Sequence, residues 1–137
     1  MITTILTDMR AHLVVSQESS VPVWMTLRYE STDPYAVRVV FRISDDETVE
    51  WVFARELLAE GLHQPAGEGD VHVRPIQSPA RSAMRVTLAS PTGTALLEAP
   101  AQQLASFLQR TDAAVPPGIE HEHLDVDSEL AHIFADS

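Results

Sequence analysis

Residues 48–62 (TVEWVFARELLAEGL) change their hydrophobic period partway, and this change constrains the fold more than any other stretch. In the first part, Trp51 and Phe53 alternate with outward-facing positions, which predicts a half-buried β-strand. In the second part, Leu57 and Leu58 join Phe53 on one face at helical spacing, which predicts a short helix directly after the strand. We expect this strand–helix unit to anchor the core, because its two aromatic side chains bury large apolar surfaces.

Single residues predict the helix boundaries in this unit and in a second one. Gly61 follows the last periodic residue, where a left-handed backbone conformation is easiest for glycine. In residues 94–111 (TALLEAPAQQLASFLQRT), Pro100 is predicted at the first helical position, where its missing N–H has no intrahelical partner. Leu104 and Leu108 then lie on the apolar side of the helix. The sequence therefore predicts two units, each a run of antiparallel strands followed by one helix.

Five further stretches alternate between apolar and polar residues with the period of two that strands show. In the first two of these stretches, the apolar set predicted to face inward includes Val15 and Val21. The pattern predicts an α+β fold in which seven strands form mostly antiparallel, barrel-like sheets, with two main helices and a short C-terminal helix. These five strands are predicted at residues 5–15, 21–30, 37–43, 71–76 and 83–89.

Charge and composition narrow the class of protein. The 137-residue chain carries 20 acidic residues and a formal net charge of −11. This argues against general nucleic-acid binding, which needs cations to neutralise phosphates. The chain has no cysteine, which excludes disulfides and thiolate metal sites and fits a cytoplasmic protein. We expect no signal peptide and no spanning helix, because no apolar run approaches the roughly 20 residues that a spanning helix needs.

Seven of the acidic residues lie in residues 111–137, so the acidity is concentrated at the C-terminal end. We predict a domain at residues 1–115 and an acidic tail at residues 116–137. Within the tail, residues 128–134 (SELAHIF) can form one or two helical turns, which need a surface of the domain or of a neighbouring subunit to pack on. The candidate partner or subunit contacts are Trp24, Glu120, Glu122, Leu130, Ile133 and Phe134.

Trp24 and a set of arginines occupy outward positions on predicted strands. A second layer or a subunit is expected to cover Trp24, because large exposed aromatic residues usually mark contacts. The alternative is a residue that stacks on a nucleic-acid base. The arginines would form a basic face if one sheet gathers them, or dispersed and individually weak salt bridges with nearby glutamates if it does not. This candidate basic face comprises Arg28, Arg38, Arg42, Arg74 and Arg85.

The residues that could carry chemistry form no convincing motif. His121 and His123 flank an acidic residue, but a zinc site needs three or four ligands in fixed geometry. Glu50 and Glu98 each stand near a helix start, and paired carboxylates can do acid–base work. A solvent-facing strand residue near a helix N-terminus is the favoured interpretation of both. We therefore predict no catalytic residue, no metal and no cofactor.

Six segments of the chain resemble the SsgA-like proteins of sporulating actinobacteria. The likeness covers nearly the whole chain, and it is most specific in residues 48–62 and 95–118, while residues 74–86 differ locally. The segments are SQESSVPV, TLRYESTDPYAV, TVEWVFARELLAEGL, GDVHVRP, ASPTGTALLEAP and FLQRTDAAVPPGIEHEHLDVDSELAHI.

The resemblance implies a non-enzymatic role in sporulation-specific cell division, in septum placement and cell-wall remodelling. It implies that the chain recruits the tubulin-like division protein FtsZ to septum sites, directly or together with another SsgA-like protein. It also implies a homotrimer whose fold is similar to that of whirly-type single-stranded nucleic-acid-binding proteins. A single-strand-binding module is the alternative function, although the acidic charge makes nucleic acid an unexpected partner. An enzyme that acts on cell-wall material has only the carboxylates in its favour.

Overall fold

The computed structural model describes residues 2–77 and 81–124. These residues form a seven-stranded sheet, two α-helices and one 3-10 helix, which confirms the predicted α+β class with seven strands and two main helices. The C-terminal helix predicted at residues 128–134 lies outside the described residues. None of the described helices is long and apolar enough to cross a membrane. The elements are β1 (Thr4–Ser16), β2 (Ser19–Glu30), β3 (Ala36–Arg42), β4 (Thr48–Ala54), α1 (Arg55–Gly61), β5 (Val71–Gln77), β6 (Ser82–Ser90), β7 (Gly93–Pro100), α2 (Ala101–Ala114) and the 3-10 helix (Glu120–His123).

The sheet is wholly antiparallel, with the strand order β4-β3-β2-β1-β7-β6-β5. The two predicted units are its two halves: β1 to β4 with α1, and β5 to β7 with α2. They join where β1 pairs with β7, with His12 opposite Glu98. Side chains from both halves, such as Phe41 and Val86, line the same enclosed apolar space, so the sheet curls around one core. The fold is therefore a single curled sheet, whereas more than one sheet was predicted.

The core lies between the inner face of the sheet and the two helices. Helix α2 buries Leu104 and Leu108, which its sequence places on the apolar side, and also Phe107 beside them. Full burial of such a side chain contributes roughly 1.5–3 kcal/mol. Phe53 at the end of β4 is buried, and Trp51 stacks beside it with ring centroids 6.3 Å apart. The strand–helix unit at residues 48–62 thus contributes to the core as predicted.

Val15 and Val21 do not face the core, contrary to the prediction. They are 57% and 47% exposed. The pairing of β2 with β3 begins only at Trp24, so the part of β2 that contains Val21 has no strand on that side. The pairing of β1 with β7 stops at Val14, and the register of the β1–β2 hairpin shifts between Val14 and Ser16. A period of two cannot reveal where neighbouring strands end or where a bulge shifts the register.

Gly61 and Pro100 were used to predict helix boundaries, and the structure differs from the prediction at both residues. Gly61 is the last residue of α1 and is buried, and it is not among the glycines with a positive φ, so the predicted left-handed conformation is wrong. Pro100 caps α2 with a ψ of 120°, one position before the first helical residue. It still pairs with Ala83 across the sheet, so the strand extends through the position where the helix was predicted to begin.

Candidate interaction surface on the outer face of the sheet

The outer face of the sheet, opposite the core, carries rows of side chains that cross the strands. One of these is the Trp24 row, in which the residues of four adjacent strands lie directly opposite one another. It consists of Arg10 on β1, Trp24 on β2, Arg42 on β3 and Thr48 on β4. Directly opposed residues have Cβ atoms about 4.5–5.5 Å apart, so these side chains are neighbours. Trp24 is 48% exposed, which leaves half of its surface open to a partner.

Arg10 and Arg42 flank Trp24 from the two adjacent strands. The Arg10 guanidinium carbon lies 4.4 Å from the centroid of the Trp24 ring, within the range of a cation–π interaction. Among residues 2–77 and 81–124, neither arginine forms an ion pair. A groove of about 260 Å³ opens beside Trp24, with Arg42 and Asp8 in its wall. The row therefore offers an aromatic surface and two cations, and neither cation has an ion-pair partner in the described part of the chain.

The adjacent row carries the opposite charge and is named here the acidic row. It consists of Asp8, Thr26, Val40 and Glu50, aligned across the same four strands. The Thr26 hydroxyl donates a hydrogen bond to the Asp8 carboxylate at 2.6 Å, which fixes that carboxylate on the surface. The charge on the outer face therefore changes sign from one row to the next along the strand direction.

Beyond the acidic row lies a second row with cations, the Arg28 row. Its members are Leu6, Arg28, Arg38 and Val52. Arg28 pairs with Glu30 at 2.5 Å, and Arg38 pairs with Glu50 at 3.3 Å. Exposed pairs of this kind contribute little to stability, about 0–1 kcal/mol, but they do occupy the cations. Leu6 and Val52 are both more than half exposed at the two ends of the row.

The five arginines of the predicted basic face share the outer face but do not form one patch. Arg28, Arg38 and Arg42 lie in the half formed by β1 to β4, whereas Arg74 and Arg85 lie opposite each other on β5 and β6. Between the two groups, Glu98 accepts a hydrogen bond from Arg85 at 3.1 Å. The sequence pattern did not single out Arg10, whose position beside Trp24 follows only from the strand register.

Glu120, a predicted partner contact, lies against its own chain in a cluster built on Arg55. The Arg55 side chain is buried, and its Nη1 donates to the backbone carbonyls of Thr111 at 3.1 Å and Val115 at 2.7 Å. Its Nη2 lies 3.4 Å from Glu120 Oε2, and its guanidinium stands 5.2 Å from the Tyr29 ring. The start of the predicted tail is thereby tied to the first turn of α1, while Glu122 is exposed.

Two ionisations are shifted in this cluster. Hydrogen bonds from the backbone N–H of Glu120 itself and of Gly118, together with Arg55, hold the pKa of the Glu120 carboxyl below its usual value. Because this pKa is lowered on folding, the stability it contributes is present above the unfolded pKa and is lost as pH falls through the folded one. Burial raises the pKa of the Tyr29 hydroxyl, with Arg55 opposing that shift.

Within the described residues, no group of three or more histidines and carboxylates could hold a metal ion. His121 is exposed and His123 is half-buried, both in the 3-10 helix. Leu130, Ile133 and Phe134 lie outside the described residues.

Fold and surface together define a small α+β domain with one curled antiparallel sheet and an exposed arginine–tryptophan row on its outer face. The chain belongs to the SsgA family, because residues 23–120 match the family described as "Streptomyces sporulation and cell division protein, SsgA". It is therefore a sporulation and cell-division protein of that family, which confirms the resemblance seen in the sequence.

Individual relatives match over nearly the full length. The chain is 58% identical over 135 residues to the sporulation-specific cell division protein SsgB of Streptomyces coelicolor, covering 98% of each. It is 45% identical over 128 residues to SsgB of Frankia casuarinae, covering 93% of this chain and 90% of the relative. A solved structure described as "Mutations in SsgB correlate to longitudinal cell division during sporulation of Streptomyces coelicolor" superposes with a TM-score of 0.88 at 58% identity, covering 90% of this chain and 98% of that one. The SsgA-like sporulation-specific cell division protein from Thermobifida fusca gives a TM-score of 0.86 at 41% identity, covering 95% of each chain.

Proposed function

We propose that this chain is a non-enzymatic, cytoplasmic adaptor in sporulation-specific cell division. It recruits FtsZ to septum sites and is itself located at the septum. The near-full-length likeness to SsgB, a sporulation-specific cell division protein, is the observation that carries this proposal. FtsZ enters as the partner that the family resemblance implies, bound directly or together with another SsgA-like protein.

The outer face supports a role in protein binding. Tryptophan and arginine are enriched in protein interfaces and at the residues that dominate binding energy. Trp24, Leu6 and Val52 are large apolar side chains that stand half exposed or more on this one face. Four arginines lie among them, in the Trp24 row and the Arg28 row. Such a surface has the composition of an interface that a partner covers.

The second candidate function is a single-stranded nucleic-acid-binding module with a fold similar to the whirly type. The observation that favours it is the set of arginines on one sheet face, with Trp24 available for stacking on a base. Against it stand the net charge of −11 and the carboxylates of the acidic row, since phosphate binding depends on local positive charge. We therefore rank it second.

Analytical ultracentrifugation tests the two functions together. We expect the protein alone to sediment as a homotrimer of its 15.1 kDa chain. With FtsZ and GTP, it should co-sediment with FtsZ polymers and leave a labelled single-stranded oligonucleotide unbound. A protein that binds the oligonucleotide and ignores FtsZ polymers would instead establish the second function.

The acidic tail is proposed to contribute subunit or partner contacts through Leu130, Ile133 and Phe134. Replacing all three with alanine is expected to weaken trimer formation or FtsZ binding, because the tail then loses its apolar side. Sedimentation mass and FtsZ co-sedimentation are the measurements, with Gln103→Ala as a control on an exposed residue of α2. An unchanged mass together with unchanged FtsZ binding would count against the assignment.

A further inference from the structure

The Trp24 row combines features that are separate elsewhere on the described surface: two cations without ion-pair partners and a half-exposed indole between them. We propose that this row binds an acidic segment of a protein partner, with carboxylates on Arg10 and Arg42 and an apolar side chain against Trp24. The inference deepens the proposed adaptor function, on which it rests for the partner's identity.

The state of the arginines selects this row over its neighbours. Arg28 and Arg38 are held by Glu30 and Glu50, and a partner carboxylate would have to displace those pairs. Within the described residues Arg10 and Arg42 have no carboxylate to displace, so each can form charge-assisted hydrogen bonds with an incoming one. Trp24 adds a large, rigid apolar surface at the centre of the row.

The spacing of the row fits a short segment. Arg10 and Arg42 stand on β1 and β3, two strand spacings or roughly 10 Å apart. Side chains of an extended chain alternate between two faces, so two carboxylates four positions apart point to the same side, about 13 Å from each other, with the middle side chain facing Trp24 between them. The long arginine side chains can cover the difference of about 3 Å. The groove of about 260 Å³ beside Trp24, lined also by Asp8, Thr26 and Val40, can take an apolar side chain that lies between those carboxylates.

The acidic row favours an acidic protein segment over a nucleic acid as the ligand of the Trp24 row. Neighbouring rows on one face are about 7 Å apart along the strands. A nucleic-acid strand carries a phosphate at every nucleotide, so one that extends over several rows meets Asp8 and Glu50 as well as the arginines. A short acidic segment that runs along the Trp24 row can place both of its carboxylates on the arginines and only its apolar side chain in the groove, whose wall includes Asp8. The alternating rows therefore attract a confined group of carboxylates and repel a long polyanion.

The test compares two double variants that remove the same charge from the same face. Arg10→Gln with Arg42→Gln changes the Trp24 row, and Arg28→Gln with Arg38→Gln is the matched control. The probes are FtsZ polymers, a fluorescein-labelled peptide with the core Asp-Ser-Phe-Ser-Asp, the same peptide with both aspartates changed to asparagine, and oligothymidylate. We expect the Trp24-row variant to weaken binding of FtsZ and of the acidic peptide by about tenfold or more. The control variant should change both by less than about threefold.

Each outcome bears on the inference separately from the adaptor function. If FtsZ binds the wild type and the Trp24-row variant equally, the inference is overturned and the adaptor function stands. If FtsZ binds neither to this chain alone nor in the presence of another SsgA-like protein, but the acidic peptide binds through this row, the adaptor function fails and the inference stands. The inference is also overturned if no acidic peptide binds at millimolar concentration, or if oligothymidylate binds more tightly and depends on the same arginines. A changed oligomer mass in the Trp24-row variant would make the row a contact between copies of the chain and would overturn it as well.

Discussion

Replacing Arg55 with methionine is expected to lower the free energy of unfolding by about 1–3 kcal/mol. Arg55 is only 4% exposed, its Nη1 donates to two backbone carbonyls, and its Nη2 forms an ion pair with the Glu120 carboxylate at 3.4 Å. Methionine fills much of the space but donates no hydrogen bond. The carbonyls of Thr111 and Val115 would lose their side-chain donor at the end of α2, and Glu120 would lose its counter-charge.

Urea denaturation followed by circular dichroism measures this loss. Asp112→Asn is the control, because Asp112 also lies within 3.5 Å of Arg55 but is 46% exposed, so its removal should change stability by less than about 1 kcal/mol. Arg55→Lys keeps the charge but not the planar arrangement of donors, and we expect an intermediate loss. A loss below about 1 kcal/mol for the methionine variant would show that the cluster does not hold the helices together.

Gly61→Ala is expected to destabilise the protein by about 1–3 kcal/mol, even though alanine favours helix over glycine by up to about 1 kcal/mol. A Cβ atom at position 61 would lie 2.4 Å from Val73 Cγ2 and 3.0 Å from Met84 Sδ. Both neighbours belong to the sheet, so α1 would have to move away from β5. Overpacking should therefore outweigh the gain in helix propensity.

A double-mutant cycle with Val73→Ala isolates this contact. If the clash is the cause, Gly61→Ala should be much less destabilising in the Val73→Ala background, with a coupling energy of about 1 kcal/mol or more. Ala59→Gly is the control on an exposed position of α1, where propensity alone should lower stability by about 1 kcal/mol. A stabilising Gly61→Ala would mean that the helix moves without cost.

Alternation along the chain predicted the strands and the outward position of Trp24, because a period of two reports a sheet with one buried face. The same reasoning failed for Gly61. A glycine after a helical run fits a left-handed cap, and nothing local distinguishes that from close packing against Val73 in another strand. Val21 was misplaced for a related reason, since its exposure depends on where β3 ends.

The two arginines that matter most here were not predictable from their neighbours. Arg55 has the sequence context of an ordinary first-turn residue, and its carbonyl partners lie 56 and 60 positions away. Arg10 is one outward residue among several on β1, and only the register with β2 places it opposite Trp24. Both roles arise from tertiary contacts between distant segments, which periodicity and local propensity do not encode.

The seam between β1 and β7 has a kinetic consequence. Every other strand pairing in the described sheet joins strands that are consecutive along the chain, while this one brings His12 to Glu98. Local hairpins close quickly, whereas a contact across a long loop is slow because the loop entropy is lost before the contact is gained. Each half can therefore assemble from its own hairpins, and we expect pairing at the seam to limit the folding rate. At high concentration during refolding, the same seam can form between the halves of two different chains.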